Sequence, residues 1–224
     1  MNVLRPVHLR ALFCAASLSV AAVAPAALAS PAPAIAAFDA AFAGVHDYSV
    51  TVTAHELLGS NVQDRVYHYW FMRPDLAKIE IVSGPGAGGG GVWAGGDRVS
   101  GHQGGFLSHF HLKVGLHDGR ATSLRGYTIP DGLIQNEVDK FRQIKGTLSQ
   151  SAGALVAGAP TDMIELQLAN PSAYDGVTRM DMYLSKATHM PLRQVRYSGN
   201  QVVAQETFTE LKVNTGLTQR DFPY

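Results

Sequence analysis

Cysteine is nearly absent from this chain: its 224 residues include one, Cys14. That residue lies inside an apolar N-terminal stretch that reads as a removable leader. Disulfides and thiolate chemistry are thereby excluded from the mature chain, so stability has to come from a packed core. An excess of charge of one sign is also lacking. The 18 basic residues are matched by 18 acidic ones, and a leader that takes Arg5 and Arg10 with it leaves a slight acidic surplus. Nucleic acid and anionic membrane surfaces are therefore excluded as main partners. Long apolar runs are missing too. "ALFCAASLSVAAVA" is too short and wrongly flanked for a membrane span. Preceded by the basic "MNVLRPVHLR" and followed by small residues at Ala27 and Ala29, it has the layout of a secretory signal cut before Ser30. Phe13 is not the small residue that a lipid-attachment cysteine needs before it. The expectation is a signal peptide over residues 1–29 and a single domain over residues 30–224.

What is present is mostly strand. "DYSVTVTAHE" alternates, with Tyr48, Val50, Val52 and Ala54 on one face and Ser49, Thr51, Thr53 and His55 on the other. The next run, "HYWFMRPDLAKIEIVSG", puts Tyr67, Tyr69 and Phe71 on one face and Trp70 and Met72 on the other. "RPDL" then turns the chain, and Ile79 and Ile81 share a face in the strand that follows. "GPGAGGGG" reads as a flexible loop, and "GVWAGGDRVSG" as a hairpin through Gly95-Gly96. After an irregular stretch over 102–127, four strands close the chain: "DMIELQLA", "VTRMDMYLS", "PLRQVRYSG" and "QVVAQETFTELKV".

Two helices interrupt these strands. Ile35, Phe38, Phe42 and Val45 form a stripe at helical spacing over 34–44. A second helix is expected over 130–145, with Pro130 in its first turn, Ile134, Val138 and Phe141 on its apolar side, and Gly146 ending it. Two helices are too few to cover eight to ten antiparallel strands tightly. The fold class expected is α+β: a curved antiparallel sheet with amphipathic helices across its mouth, leaving an apolar hollow.

The order of these features resembles the outer-membrane lipoprotein carrier and sorting superfamily, the LolA and LolB proteins. It runs from an amphipathic first helix through "RPDLAKIE", "VWAGGDRV" and a mid-chain helix to "YLSKATHMPLRQVRYSGN" and "TFTELKVNTGLTQRDFPY". The resemblance spans nearly the whole mature chain and implies an unclosed β-barrel with the helices as a lid, serving as a periplasmic, non-enzymatic carrier or binder without cofactor. Its cargo would be the acyl chains of lipoproteins or another lipid, and its partner an inner- or outer-membrane protein. The resemblance further implies a ligand wall of Val50, Val52, Tyr67, Tyr69, Phe71, Ile79 and Ile81. Phe38, Phe42, Ile134, Val138 and Phe141 would form the lid, with Arg73 reaching inward as its latch. The family's C-terminal extension has no counterpart after "DFPY", and the glycine-rich loop and the histidines are departures from the family pattern.

Two other readings compete. A sensor of misplaced lipoproteins that signals to a membrane partner would use the same fold. A metal-binding protein would use "GHQGGFLSHFHLKVGLHDG", where His109 and His111, at i and i+2, can point the same way. No third ligand is set by spacing. "GPGAGGGG" lacks the Gly-Lys-Ser/Thr that a phosphate-binding P-loop requires. Nothing brings a nucleophile, base and orienting acid together in sequence.

Overall fold

The computed structural model describes residues 32–105 and 110–223; the expected signal peptide lies outside them. The chain starts with α1 (Pro33–Phe42) and continues into β1 (Asp47–Leu58), β2 (Asn61–Met72), β3 (Leu76–Ser83), β4 (Gly90–Trp93), β5 (Arg98–His102) and β6 (His111–Gly115). A connecting segment leads to α2 (Ile134–Gln143). Five strands follow: β7 (Gly146–Ala152), β8 (Thr161–Leu168), β9 (Arg179–Ser185), β10 (Pro191–Ser198) and β11 (Gln201–Val213). All eleven join one antiparallel sheet in the order β6-β5-β4-β3-β2-β1-β11-β10-β9-β8-β7. The first and last strands thus meet at the centre, two meanders spread outward from them, and β6 and β7 remain as unjoined edges.

Strand parity carries one inward face across the whole sheet. Val52 pairs with Tyr67 on β2 and Phe208 on β11, and Ala54 with Arg65 and Glu206. Tyr67 and Tyr69 lie opposite Ile81 and Ile79, and Met182 lies between Gln194 and Ile164. Each pair shares a face because side-chain direction repeats every two residues. β2 is apolar on its other face as well. There Trp70 is covered by Lys78, whose Nζ stands 4.2 Å from the ring centroid, and His68 lies beside it, which gives the outward aromatics their contacts.

The structure has five closing strands, one more than the sequence suggests. β7 is that addition: "GTLSQSA" is polar and largely exposed, so it carries no buried-face pattern to read. Gly146 opens this strand instead of ending a helix. The second helix is also shorter than expected. Pro130–Gly132 is a single 3₁₀ turn, and α2 begins at Ile134.

The helices are held by side chains distant in sequence. Neither has a side-chain cap of its own, and the first amides of a helix have no partner within it. The amide of Ala34 donates to Gln150 Oε1 on β7 at 3.0 Å, and that of Ile134 donates to the Tyr48 hydroxyl at 3.0 Å. Arg142 of α2 pairs with Asp39 of α1. The helices pack on the inward face, α1 reaching β7 through Gln150 and α2 reaching β1 and β10 through Tyr48 and Arg196. There Ile35, Phe38, Phe42, Ile134, Val138 and Phe141 join Met180, Met182, Leu184, Ile164 and Leu166 in one core.

Tyr48 is completely buried, so its hydroxyl is the acceptor available to the first amide of α2. Replacing Tyr48 with Phe is expected to cost about 1–3 kcal/mol, the penalty for a buried donor left unpaired. Urea denaturation of the Tyr48→Phe variant measures this, and an unchanged midpoint would show that α2 is not anchored there.

Candidate functional site

The other half of the sheet is hollow. A cavity of about 570 Å³ lies against the inward side of β11, β1, β2 and β3–β6. Its apolar wall includes Tyr67, Tyr69, Ile79, Ile81, Val99 and Val114. One row of the sheet explains the space: Ile79 lies opposite Gly91, Gly91 opposite Gly101, and Gly101 opposite Leu112. Two successive positions in that row carry no side chain, so bare backbone lines the cavity there. The strands also approach closely, and a Cβ at Gly101 would stand 2.3 Å from the Gly90 carbonyl oxygen.

The connection between the two meanders closes the hollow. This strap runs from β6 to α2, and Gly119–Ser123 and Tyr127–Ile129 line the cavity opposite the strands. It is fastened along its length. Tyr69 donates its hydroxyl to the Ile129 carbonyl at 2.8 Å. The Arg125 amide donates to Glu56 Oε2, and its guanidinium donates to the carbonyls of Leu57 and Asp175. The Leu124 amide donates to Gln63 Oε1. Arg125 is buried, and its Nε has no hydrogen-bond partner among the described residues.

At its β11 end the cavity meets a charged cluster. Arg196 on β10 and Glu137 on α2 are 5% and 2% exposed, and Arg196 Nη2 donates to both Glu137 oxygens at 2.8–2.9 Å. Lys140 Nζ donates to Glu137 Oε1 at 2.8 Å, and the guanidinium of Arg196 stacks on Tyr127, 4.3 Å from its centroid. Burial pushes the Glu137 pKa up, but Arg196 and Lys140 outweigh it and hold the carboxyl below its ordinary value. Burial likewise works against the Arg196 charge, and Glu137 more than restores it. Glu206 on β11 behaves oppositely. Burial first, and then the Glu137 charge, raise its pKa to about 6. Tyr67 donates to Glu206 Oε1 at 3.0 Å, while Glu206 Oε2 is buried without a hydrogen-bond partner among the described residues.

The residues singled out from sequence fall into three groups. Tyr67, Tyr69, Ile79 and Ile81 line the cavity. Val50, Val52 and Phe71 do not; they are core residues beneath the helices. Phe38, Phe42, Ile134, Val138 and Phe141 are also core, so the cover over the hollow is the strap and not the helical stripes. Arg73 is exposed. It shares a cis peptide with Pro74, donates Nε to the Val45 carbonyl at 2.6 Å and stands 5.5 Å from the Phe42 ring. It therefore holds the exit of α1 from the rim and does not reach inward. The buried arginine bound to a covering helix is Arg196. In "PLRQVRYSG" nothing local distinguishes it from Arg193. His109 lies outside the described residues. His111 is exposed on β6, its ring 5.8 Å from that of His102. No group of three or more metal-ligating side chains occurs among the described residues.

No protein-family model matches the sequence, and no curated protein matches it. Solved structures do share its fold. An uncharacterised conserved protein from Thermus thermophilus is 14% identical over 86% of this chain and 91% of its own, with a TM-score of 0.54. MucB is 12% identical over 86% of this chain and 62% of its own, with a TM-score of 0.52. A LolA superfamily protein from Nitrosomonas europaea is 8% identical over 86% of this chain and 96% of its own, with a TM-score of 0.40. At these identities the likeness is one of fold alone.

Two outcomes follow from the charged cluster. Glu137→Ala leaves Arg196 buried and unpaired, and is expected to cost about 3–5 kcal/mol, whereas the double variant Glu137→Leu/Arg196→Met recovers most of that. Denaturant melts of the three proteins measure this, and equal losses in the single and double variants would contradict it. Glu206 has a raised pKa in the folded state, so its contribution is fully present below the ordinary glutamate value of about 4.5. It is lost as pH rises through about 6. Glu206→Gln should therefore gain stability relative to the parent as pH rises from about 4.5 through about 6 and hold a constant advantage above that, read as a Tm difference that widens and then levels off.

Proposed function

We propose that this chain is an exported, non-enzymatic carrier or binding protein of the periplasm, holding acyl chains of lipoproteins or similar lipidic cargo. The observation that supports this reading is the hollow itself. About 570 Å³ of space stands between an apolar strand face and a fastened strap, within the size range of small-molecule sites. Burying an acyl chain is worth roughly 0.8 kcal/mol per CH₂. A chain of about fourteen carbons thus supplies about 10 kcal/mol before its ordering cost.

The chemistry around the hollow suits holding better than reacting. Glu137 is neutralised by Arg196 and Lys140, and the tyrosine hydroxyls at 67 and 69 are engaged with Glu206 and Ile129. Burial raises the pKa of both tyrosines well above the ordinary value, so they remain neutral donors. Cargo enters by parting the strap from the strands, and a membrane protein that receives or delivers it would act on that strap.

Ile81 lies on the cavity wall, so a larger side chain there takes space from the ligand. The parent protein is expected to bind an environment-sensitive acyl probe in fluorescence titration. Ile81→Trp should weaken binding roughly tenfold or more with an unchanged Tm. Failure of the parent to bind the probe, or equal binding by a folded Ile81→Trp protein, would overturn the proposal.

A further inference from the structure

The inner end of the hollow is polar, and Glu206 leaves an acceptor there to spare. Glu206 Oε1 is taken by Tyr67, but Oε2 has no partner among the described residues, and the glutamate lines the cavity. Gln194, opposite Glu206 across the β10–β11 ladder, is 1% exposed and does not line the cavity. The nearby cations are already occupied: Arg196 by Glu137, and Lys140 by Glu137 and the Asp131 carbonyl. A buried carboxylate oxygen without a donor is costly. An acyl chain alone would fill the volume and leave that oxygen unpaired.

We infer that the hollow selects amphiphiles whose apolar chain carries a neutral hydrogen-bond donor, an amide N–H or a hydroxyl, which reaches Glu206 Oε2. This rests on the acyl-binding reading above and narrows it. A lipid that presents only ester or phosphate oxygens to this end offers acceptors to an acceptor and is disfavoured. An acylated peptide offers amide donors, and a long-chain alcohol offers its hydroxyl. Both satisfy the carboxylate without adding charge to a buried cluster.

The test compares palmitamide, hexadecanol and methyl palmitate, ligands of matched chain whose heads differ in having or lacking a donor. Displacement of a bound acyl probe should show the amide and the alcohol binding roughly tenfold tighter than the ester, and Glu206→Met should abolish that difference. If the variant does not fold, the parent itself supplies the answer. With glutamate side chains carbon-labelled, the Glu206 carboxyl should titrate near 6 in the free protein and at lower pH with hexadecanol bound. Methyl palmitate should leave it unmoved. Preference for the amide over the alcohol would identify an acylated peptide as the better fit, and the reverse a hydroxylated lipid; both support the inference. Equal binding of all three with an unmoved Glu206 titration would overturn this inference while leaving the acyl-binding reading intact. Binding of none would overturn that reading too.

Discussion

The ion pair of Arg196 with Glu137 decides how the inward face of this sheet is divided. An amphipathic helix offers the same apolar stripe to any greasy surface, and here the surface extends over eleven strands. Hydrophobic burial is non-directional and cannot by itself choose a place on it. A buried charge can, because it is tolerated only where its partner stands. Glu137 has that partner on β10, with Lys140 and the ring of Tyr127 completing the cluster. With α2 so placed, α1 is tied to it through Asp39 and Arg142, and the two helices fill one half of the sheet.

The hollow is what remains of the other half. Neither helix fills it, two glycines in one cross-strand row withhold side chains from it, and its cover is the strap that must cross from β6 to α2. The strap's grip is polar: Arg125, Glu56, Gln63 and the Tyr69 hydroxyl hold its backbone. Two of these bonds, Tyr69 to Ile129 and Arg125 to Glu56, are buried, where an unpaired group is costly. The strap is also part of the core, because Ile129 is buried in the same apolar cluster as the helices and Leu116 and Ala121 pack against it. Glu206 sits at the boundary of the hollow, lining the cavity yet buried enough to have its pKa raised.

Much of this was legible along the chain. Parity placed Tyr67, Tyr69, Ile79 and Ile81 together on one face, and they meet around the cavity. The helical stripes placed Phe38, Phe42, Ile134, Val138 and Phe141 inward, and they are buried. What those stripes pack against was not legible, since a stripe looks the same over a ligand as over a core. β7 is not legible along the chain, because an exposed edge strand has no buried face to pattern it. Arg73 is marked in the sequence by its place in the "RP" turn, whereas Arg196 has the setting of an ordinary strand arginine. The difference between them is the presence of Glu137, 59 residues away in sequence.

The sequence alone determined which side of each strand and helix is apolar, because side-chain direction follows from local periodicity and needs no knowledge of neighbours. Only the tertiary structure decided which apolar side meets another and which meets empty space. That choice depends on β1 pairing with β11, on the strap crossing between the two outer strands, and on a charge finding its partner. These are contacts between residues far apart along the chain, and no local pattern encodes them.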